Sequence, residues 1–80
     1  MQAKVYVTLK KGVHDPQGEA VGHTLSEMGY KKVGGVRIGK YIEIRLNDVS
    51  PPEAETMLKE MCDKLLANTV IESYKIDLQD

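Results

Sequence analysis

The chain has 80 residues and a mass of 8.9 kDa, a length that predicts one domain and excludes a second. With 41% hydrophobic and 29% charged residues, it is too apolar for a disordered protein and too often interrupted by charge for a membrane helix. Its net charge of -1 provides no field that would attract nucleic acid or anionic lipid.

The small size also limits the chemistry that the chain can perform alone. A folded chain of this mass has little protein with which to wall a substrate cleft, so we expect an oligomer rather than a self-contained enzyme. The single cysteine, Cys62, excludes an internal disulfide. The first residues lack the apolar segment of a signal peptide, and a reducing cytoplasm is therefore the expected location.

A strand and a helix are predicted in the first part of the chain. Residues 3–9 alternate between apolar and polar side chains, which is the period of a half-buried strand. Asp15 then offers an N-cap oxygen and Pro16 suits the first helical position, so a helix begins here. Gly18 and Gly22 inside this helix each cost about 1 kcal/mol relative to alanine, so we expect the helix to depend on packing.

The sequence leaves two alternatives open for residues 33–47. The apolar side chains from Val36 onward fall on even positions, so the phase of a strand never slips. A two-residue turn at Gly39 and the following lysine would put apolar and charged residues on the same face, which is unfavourable. Either one long strand runs through Gly39, which we favour, or a three-residue turn pairs Ile38 with Ile42.

A second helix and a last strand complete the pattern. Ser50 and Glu53 form a capping box around two prolines, and the apolar stripe of the helix runs over residues 54–66. Alternation returns over residues 70–78. The order of elements predicts an α+β fold over residues 1–80, in which an antiparallel sheet of three to four strands carries two helices on one face as a ferredoxin-like β-α-β(β)-α-β sandwich.

The sequence does not support a catalytic or metal site. His14 and His23 have no second ligand or orienting partner at helical or strand spacing. Cys62 belongs to no Cys-x-x-Cys pair, and the glycines of residues 34–39 do not form a phosphate loop. We therefore expect no catalytic, cofactor-binding or metal-binding residue in this chain.

The outward face of the predicted sheet is the best candidate for a functional surface. It carries tyrosine and arginine, which are enriched at the centres of interfaces, so we expect it to dock another protein rather than merely to be solvated. Two alternatives remain open: single-stranded RNA could stack on the tyrosines, or the face could belong to a small-ligand regulatory module. The residues of this face are Lys4, Tyr6, Thr8, Arg37, Tyr41, Arg45, Ser73 and Lys75.

Three stretches of the sequence carry a family resemblance: VYVTLKKGVHDPQG at residues 5–18, VRIGK at residues 36–40, and CDKLLAN with VIE at residues 62–72. Together they resemble the PurS family, the small subunit of bacterial and archaeal phosphoribosylformylglycinamidine synthase. The Leu-Lys-x-Gly-Val-x-Asp-Pro-Gln-Gly stretch is the most specific of them. Thr69 departs from the family, which usually has proline after the asparagine, and this affects only the local turn.

The resemblance implies a role in the fourth step of purine synthesis, in which formylglycinamide ribonucleotide, glutamine and ATP become formylglycinamidine ribonucleotide. PurS-like subunits are similar in having no activity of their own. A glutaminase subunit, PurQ, releases ammonia, a synthetase subunit, PurL, uses it with ATP and Mg, and PurS dimers or dimers of dimers join the two. The resemblance thus implies no cofactor of its own and no nucleic-acid or membrane partner for this chain.

The family motifs and the outward sheet face together select the residues that we expect to contact other subunits. They are Tyr6, Lys10, Gly12, Asp15, Pro16, Gln17, Gly18, Arg37, Gly39, Lys40, Tyr41 and Arg45. A purely structural explanation stays open for some of them, because Asp15 and Pro16 suit a helix start and Gly12 suits a turn.

Overall fold

Three antiparallel strands form the sheet in the structure, a computed structural model that describes residues 1–79. The strands are β1 (Gln2–Leu9), β2 (Lys40–Arg45) and β3 (Glu72–Gln79). Their order across the sheet is β2-β1-β3, so the first strand of the sequence is the central one and is paired along both edges. The alternating patterns predicted both β1 and β3.

Two helices connect the strands, α1 over Pro16–Glu27 and α2 over Pro51–Met61. The second helix continues into a π-helical turn, Cys62–Leu66, in which the backbone widens before the chain enters β3. The predicted α+β fold, with an antiparallel sheet of three strands and two helices, is confirmed.

Both helices begin at the predicted capping residues. The Asp15 carboxylate accepts a hydrogen bond from the Gly18 amide at 2.9 Å, and the Ser50 hydroxyl accepts one from the Glu53 amide at 3.4 Å. Each cap satisfies one of the amides that a helix start leaves without an intrahelical acceptor, and a proline follows each cap where no donor is needed.

The hydrophobic core lies between the sheet and the second helix. Alternation along β1 places Ala3, Val5 and Val7 on one face, and all three have no exposed surface. Leu58 of α2 and Cys62 of the π-helical turn are also fully buried and cover this face. The opposite face of the sheet is therefore left as the open face.

Both sequence-based alternatives for residues 33–47 are wrong, because β2 begins only at Lys40. The register shows where the ladder stops: Lys40 pairs with Val7, and the last two residues of β1 pair only with β3. Just before β2, the amide of Ile38 donates to the Asp15 carboxylate at 2.8 Å instead of to β1. The contact between Ile38 and the distant Asp15 side chain thus keeps β2 from starting before Lys40.

The first helix packs differently from the second. Gly18 is the one buried residue of α1, and the apolar side chain of Val21 is 40% exposed. A Cβ placed on Gly22 would be 3.6 Å from the Val36 side chain, so this helix rests on the irregular segment before β2. That segment therefore provides the packing on which α1 was expected to depend, and it leaves the Val21 side chain exposed and Leu25 half-buried.

Candidate subunit interface

The open face of the sheet carries a pair of tyrosines. The register places Tyr6 of β1 between Tyr41 of β2 and Lys75 of β3. The two aromatic rings have their centroids 5.3 Å apart and are tilted by 36°. Because Tyr6 is 40% and Tyr41 49% exposed, their paired rings present apolar area together with hydroxyl groups, a combination typical of interface centres.

Charges of alternating sign lie beside the tyrosines on the open face. Lys4 of β1 is opposite Glu43 of β2 and Asp77 of β3. These two acidic neighbours would repel a phosphate backbone, so the face suits a protein better than RNA. Desolvation, followed by a hydrogen bond to Glu43, raises the pKa of Tyr41, whose hydroxyl therefore stays protonated at neutral pH.

A second group of predicted residues meets at the end of the sheet, around the Asp15 carboxylate. One oxygen caps α1 through Gly18, and the other accepts the Ile38 amide at 2.8 Å. These two amides, Ile38 first, lower the pKa of Asp15 and keep it ionised. Asp15 therefore joins the start of α1 to the segment before β2.

Two glycines of this group permit close backbone approach. A Cβ on Gly18 would overlap the backbone carbonyl of Val36, and a Cβ on Gly39 would be 2.5 Å from the carbonyl oxygen of Val7. Both positions therefore need glycine, because a side chain would collide with backbone there. The two close approaches hold residues 36–39 against α1 and β1.

Arg37 and Lys40 use their side chains to hold the same end of the sheet. The Arg37 guanidinium donates to the carbonyl of Leu9, at the end of β1 that β2 does not reach. The Lys40 ammonium donates to the carbonyl of Leu66 at 3.3 Å and lies 3.9 Å from the Glu72 carboxylate. Lys40 therefore connects β2 to the π-helical turn and to β3.

Glu72 was not among the predicted site residues. Its side chain is 17% exposed, and its carboxylate accepts the Asn68 amide at 2.7 Å in addition to pairing with Lys40. The sequence feature that could have indicated Glu72 is its acidic side chain near the start of the predicted strand, four residues after Asn68. Sequence spacing alone does not show that Lys40 lies beside them.

The other predicted residues lie around this end of the sheet, with one exception. Lys10 donates its amide to the carbonyl of Ile71 at 2.8 Å, and Gly12 has a φ of +89°, which a turn residue with a side chain would rarely adopt. Arg45 is the exception, because it pairs with Gln2 at the far end of β2. A cleft of about 200 Å³ is lined by Leu9, Asp15, Gln17, Ile38, Gly39, Lys40 and Glu72.

Each histidine lies beside a carboxylate, His14 at 3.2 Å from Glu19 and His23 at 3.1 Å from Glu27, although the sequence predicted no partner for either; both pairs are exposed at the surface. Within residues 1–79, no three His, Cys, Asp or Glu side chains are grouped so that they could hold a metal ion. Burial, followed by the charge of Asp63, raises the pKa of the Cys62 thiol, which opposes formation of a reactive thiolate. No helix in this part of the chain has the length and apolar character needed to span a membrane.

Comparison with known proteins decides the family. A model of the PurS family, described as phosphoribosylformylglycinamidine (FGAM) synthase, matches residues 2–80. The chain belongs to the PurS family. The PurS subunit of Bacillus subtilis strain 168 is 51% identical over 79 residues, which cover 99% of this chain and 93% of that protein. The PurS subunit of Archaeoglobus fulgidus is 47% identical over 76 residues, or 95% of each chain.

Solved PurS structures share the fold. The C2 crystal form of Bacillus subtilis PurS has a TM-score of 0.91 at 51% identity, covering 99% of this chain and 98% of that one. PurS of Methanocaldococcus jannaschii has a TM-score of 0.86 at 37% identity, covering 95% and 92%. A chain in the PurLQS structure from Thermotoga maritima has a TM-score of 0.83 at 29% identity, covering 96% of each. The PurS resemblance of the sequence motifs is thereby confirmed.

Proposed function

We propose that this chain is the bridging subunit of FGAM synthase in purine biosynthesis, which joins a PurQ glutaminase subunit to a PurL synthetase subunit. The observation that carries the proposal is the chain of the Thermotoga maritima PurLQS structure, which matches this fold over 96% of its length. Family membership and the exposed tyrosine pair on the open face support the same role.

The mechanism is positional. Ammonia released from glutamine is lost to solvent as ammonium unless the site that consumes it is nearby. A subunit that binds both partners keeps their active sites together and raises the effective concentration of ammonia at the synthetase. The two large subunits then carry out the reactions, using glutamine, ATP and Mg. This chain needs no cofactor of its own. The assembly would work in the cytoplasm.

Two surfaces supply the contacts with the large subunits. The first is the centre of the open face, where Tyr6 and Tyr41 provide apolar area and hydroxyl groups, with Arg45 at the far end of β2. The second is the end of the sheet, where the cleft offers backbone and side-chain polar groups. Within it, Asp15 and Gly18 act mainly by fixing the surface, because their contacts are internal.

Reconstitution from three purified subunits tests this role. The glutaminase and synthetase subunits are mixed with and without this chain, and FGAM formation is measured with glutamine and, separately, with an ammonium salt. We expect the chain to restore turnover with glutamine and to matter much less with ammonium, because ammonium bypasses the transfer step. Equal glutamine-dependent turnover in its absence would reject the proposal.

A double variant locates the contact on the open face. We expect Tyr6→Ala with Tyr41→Ala to raise the concentration of chain needed for half-maximal turnover at least about tenfold, since aromatic residues dominate interface energies. The matched control is Leu65→Ala, because Leu65 is 81% exposed and lies on the π-helical turn, away from the open face. An equal effect of both variants would place the contact elsewhere.

A further inference from the structure

The chain that follows α1 forms an ordered turn over residues 28–33, which we call the α1 tip. The Met28 amide donates to the carbonyl of Thr24, and the Tyr30 amide donates to the carbonyl of Leu25, both at 3.0 Å. Gly29 has a φ of +102°, which reverses the chain at the end of the helix. Local backbone bonds thus hold the turn in place before any partner binds, so little ordering would be required on binding.

The α1 tip is a separate surface from the cleft at the end of the sheet. The helix begins beside that cleft, where the Asp15 carboxylate accepts the Ile38 amide. Its 12 residues extend for about 18 Å, so the tip lies one helix length from the cleft. The longest dimension of the chain is 50 Å, and Gly18 is the one buried residue of α1. The tip can therefore contact a protein that the cleft does not reach.

Three apolar side chains are exposed within these six residues. Met28 is 64% exposed, Tyr30 58% and Val33 43%. The ring of Tyr30 is thus more exposed than either tyrosine of the open face. Several large apolar side chains grouped on an ordered turn indicate a contact surface, because water solvates them poorly and a partner would bury them together.

The α1 tip is also positively charged. Residues 28–42 contain four basic residues and no acidic residue. Two of the four, Arg37 and Lys40, have their side chains bound at the end of the sheet. The other two, Lys31 and Lys32, lie in the tip beside its exposed apolar side chains.

The charge of these two lysines is not compensated within residues 1–79. Lys31 donates to the hydroxyl of Ser26 at 3.3 Å, an uncharged acceptor, and neither Lys31 nor Lys32 forms an ion pair in this part of the chain. Glu27, the nearest acidic residue along the sequence, is 3.1 Å from His23 instead. The end of the helix carries a partial negative charge of about half an elementary charge, which offsets only part of two ammonium groups.

Apolar area beside uncompensated positive charge complements an acidic protein surface that also has apolar side chains. Two lysines are too few for a phosphate backbone or an anionic lipid surface, and the net charge of -1 gives no long-range attraction to either. Two copies of the tip would repel each other across a two-fold axis. A different protein with an acidic surface is therefore the partner that the tip fits.

We propose that the α1 tip docks an acidic surface of one of the two large subunits. Tyr30 is the apolar anchor of this contact, and Lys31 and Lys32 pair with carboxylates of the partner. The proposal rests on the bridging function, and it adds a contact separate from the open face and from the cleft.

Binding of the full chain to each purified large subunit, measured by surface plasmon resonance at low and high salt, tests the charged part of this contact. We expect Lys31→Glu with Lys32→Glu to raise the dissociation constant for one large subunit at least about tenfold at low salt, and to weaken its dependence on salt. The matched control is Lys59→Glu with Lys64→Glu on α2, which changes the net charge equally at exposed positions away from the tip. This control should leave the dissociation constant within about twofold of wild type.

Tyr30→Ala tests the apolar part of the contact. We expect it to raise the dissociation constant for the same subunit about tenfold while the salt dependence stays that of wild type, because no charge is lost. The Tm of each tip variant should match wild type, since the three side chains are exposed.

The outcomes separate this proposal from the bridging function. If wild type binds the large subunits and both tip variants bind them equally well, the α1 tip proposal fails and the bridging function stands. An equal loss in the control variant, or loss of self-association alone in the tip variants, would also overturn the proposal. If wild type binds neither large subunit, the bridging function itself is wrong.

Discussion

Two glycines of α1 provide a matched pair of substitutions with opposite expected effects. A Cβ on Gly18 would overlap the Val36 carbonyl and lie 2.7 Å from the Asp15 carboxylate, whereas a Cβ on Gly22 would make an ordinary contact at 3.6 Å with the Val36 side chain. The two positions are one turn apart on the same helix and gain similarly from the higher helix propensity of alanine. A difference between them therefore reports the close approach at Gly18.

The size of the effect follows from these contacts. Alanine gains about 1 kcal/mol over glycine inside a helix, so Gly22→Ala should raise the free energy of unfolding by about 0.5–1 kcal/mol. At Gly18 the overlap is with backbone, which forces α1 away from residues 36–38 at a cost of about 1–3 kcal/mol. The same displacement weakens the bond from the Ile38 amide to the Asp15 carboxylate, which adds to the loss of stability. We expect Gly18→Ala to lower the free energy of unfolding by about 1–2 kcal/mol after the gain in propensity is included.

Urea unfolding followed by circular dichroism measures both variants, at one protein concentration because dimerisation would otherwise shift the midpoint. Gly18→Ala should unfold at lower urea than wild type and Gly22→Ala at higher urea. If Gly18→Ala is as stable as Gly22→Ala, the close packing of α1 on the segment before β2 is not what requires glycine, and the reasoning fails.

Three further predictions concern the cap, the core and the carboxylate at the end of the sheet. Ser50→Ala removes the N-cap of α2 and should lower the unfolding free energy by about 1 kcal/mol, seen as a fall in Tm of about 4–8 °C; an unchanged Tm would contradict this. Leu58→Ala opens a cavity in the core and should lower the free energy of unfolding by about 2–5 kcal/mol, whereas Leu65→Ala at an exposed site should change it by less than about 0.5 kcal/mol. The amides of Ile38 and then Gly18 lower the pKa of Asp15, so its contribution is present above the ordinary carboxyl pKa of about 4 and is lost as pH falls below it. Urea midpoints at pH 7 and pH 3 should therefore differ less in Asp15→Asn than in wild type, and an equal difference would contradict the assignment.

The elements whose signals are local could be predicted from the sequence. The alternation of β1 shows directly which residues are buried, because side chains on a strand alternate between its two faces. The starts of α1 and α2 follow from Asp15 and Ser50, whose caps act within three residues. Each of these features depends on neighbours along the chain, which a single sequence displays.

The segment before β2 could not be predicted because distant contacts determine it. Its apolar phase suits a strand, yet the Asp15 carboxylate binds the amide of Ile38, 23 residues away, and the Arg37 side chain binds the carbonyl of Leu9. Periodicity does not encode such contacts. Asp15 and Gly18 were selected as site residues because they belong to the family motif. In the structure both make internal contacts, so a structural role is enough to account for their place in the motif. Whether they also touch a partner stays a prediction.

Co-purification tests the bridging role most directly. A tagged glutaminase subunit is used to capture the synthetase subunit with and without this chain, in the presence of glutamine and ATP, and the mass of the captured assembly is measured. The account predicts that the synthetase subunit is retained only when the chain is present, in an assembly whose mass includes all three. Equal retention of the synthetase subunit without the chain, or an assembly from which the chain is absent, would contradict it.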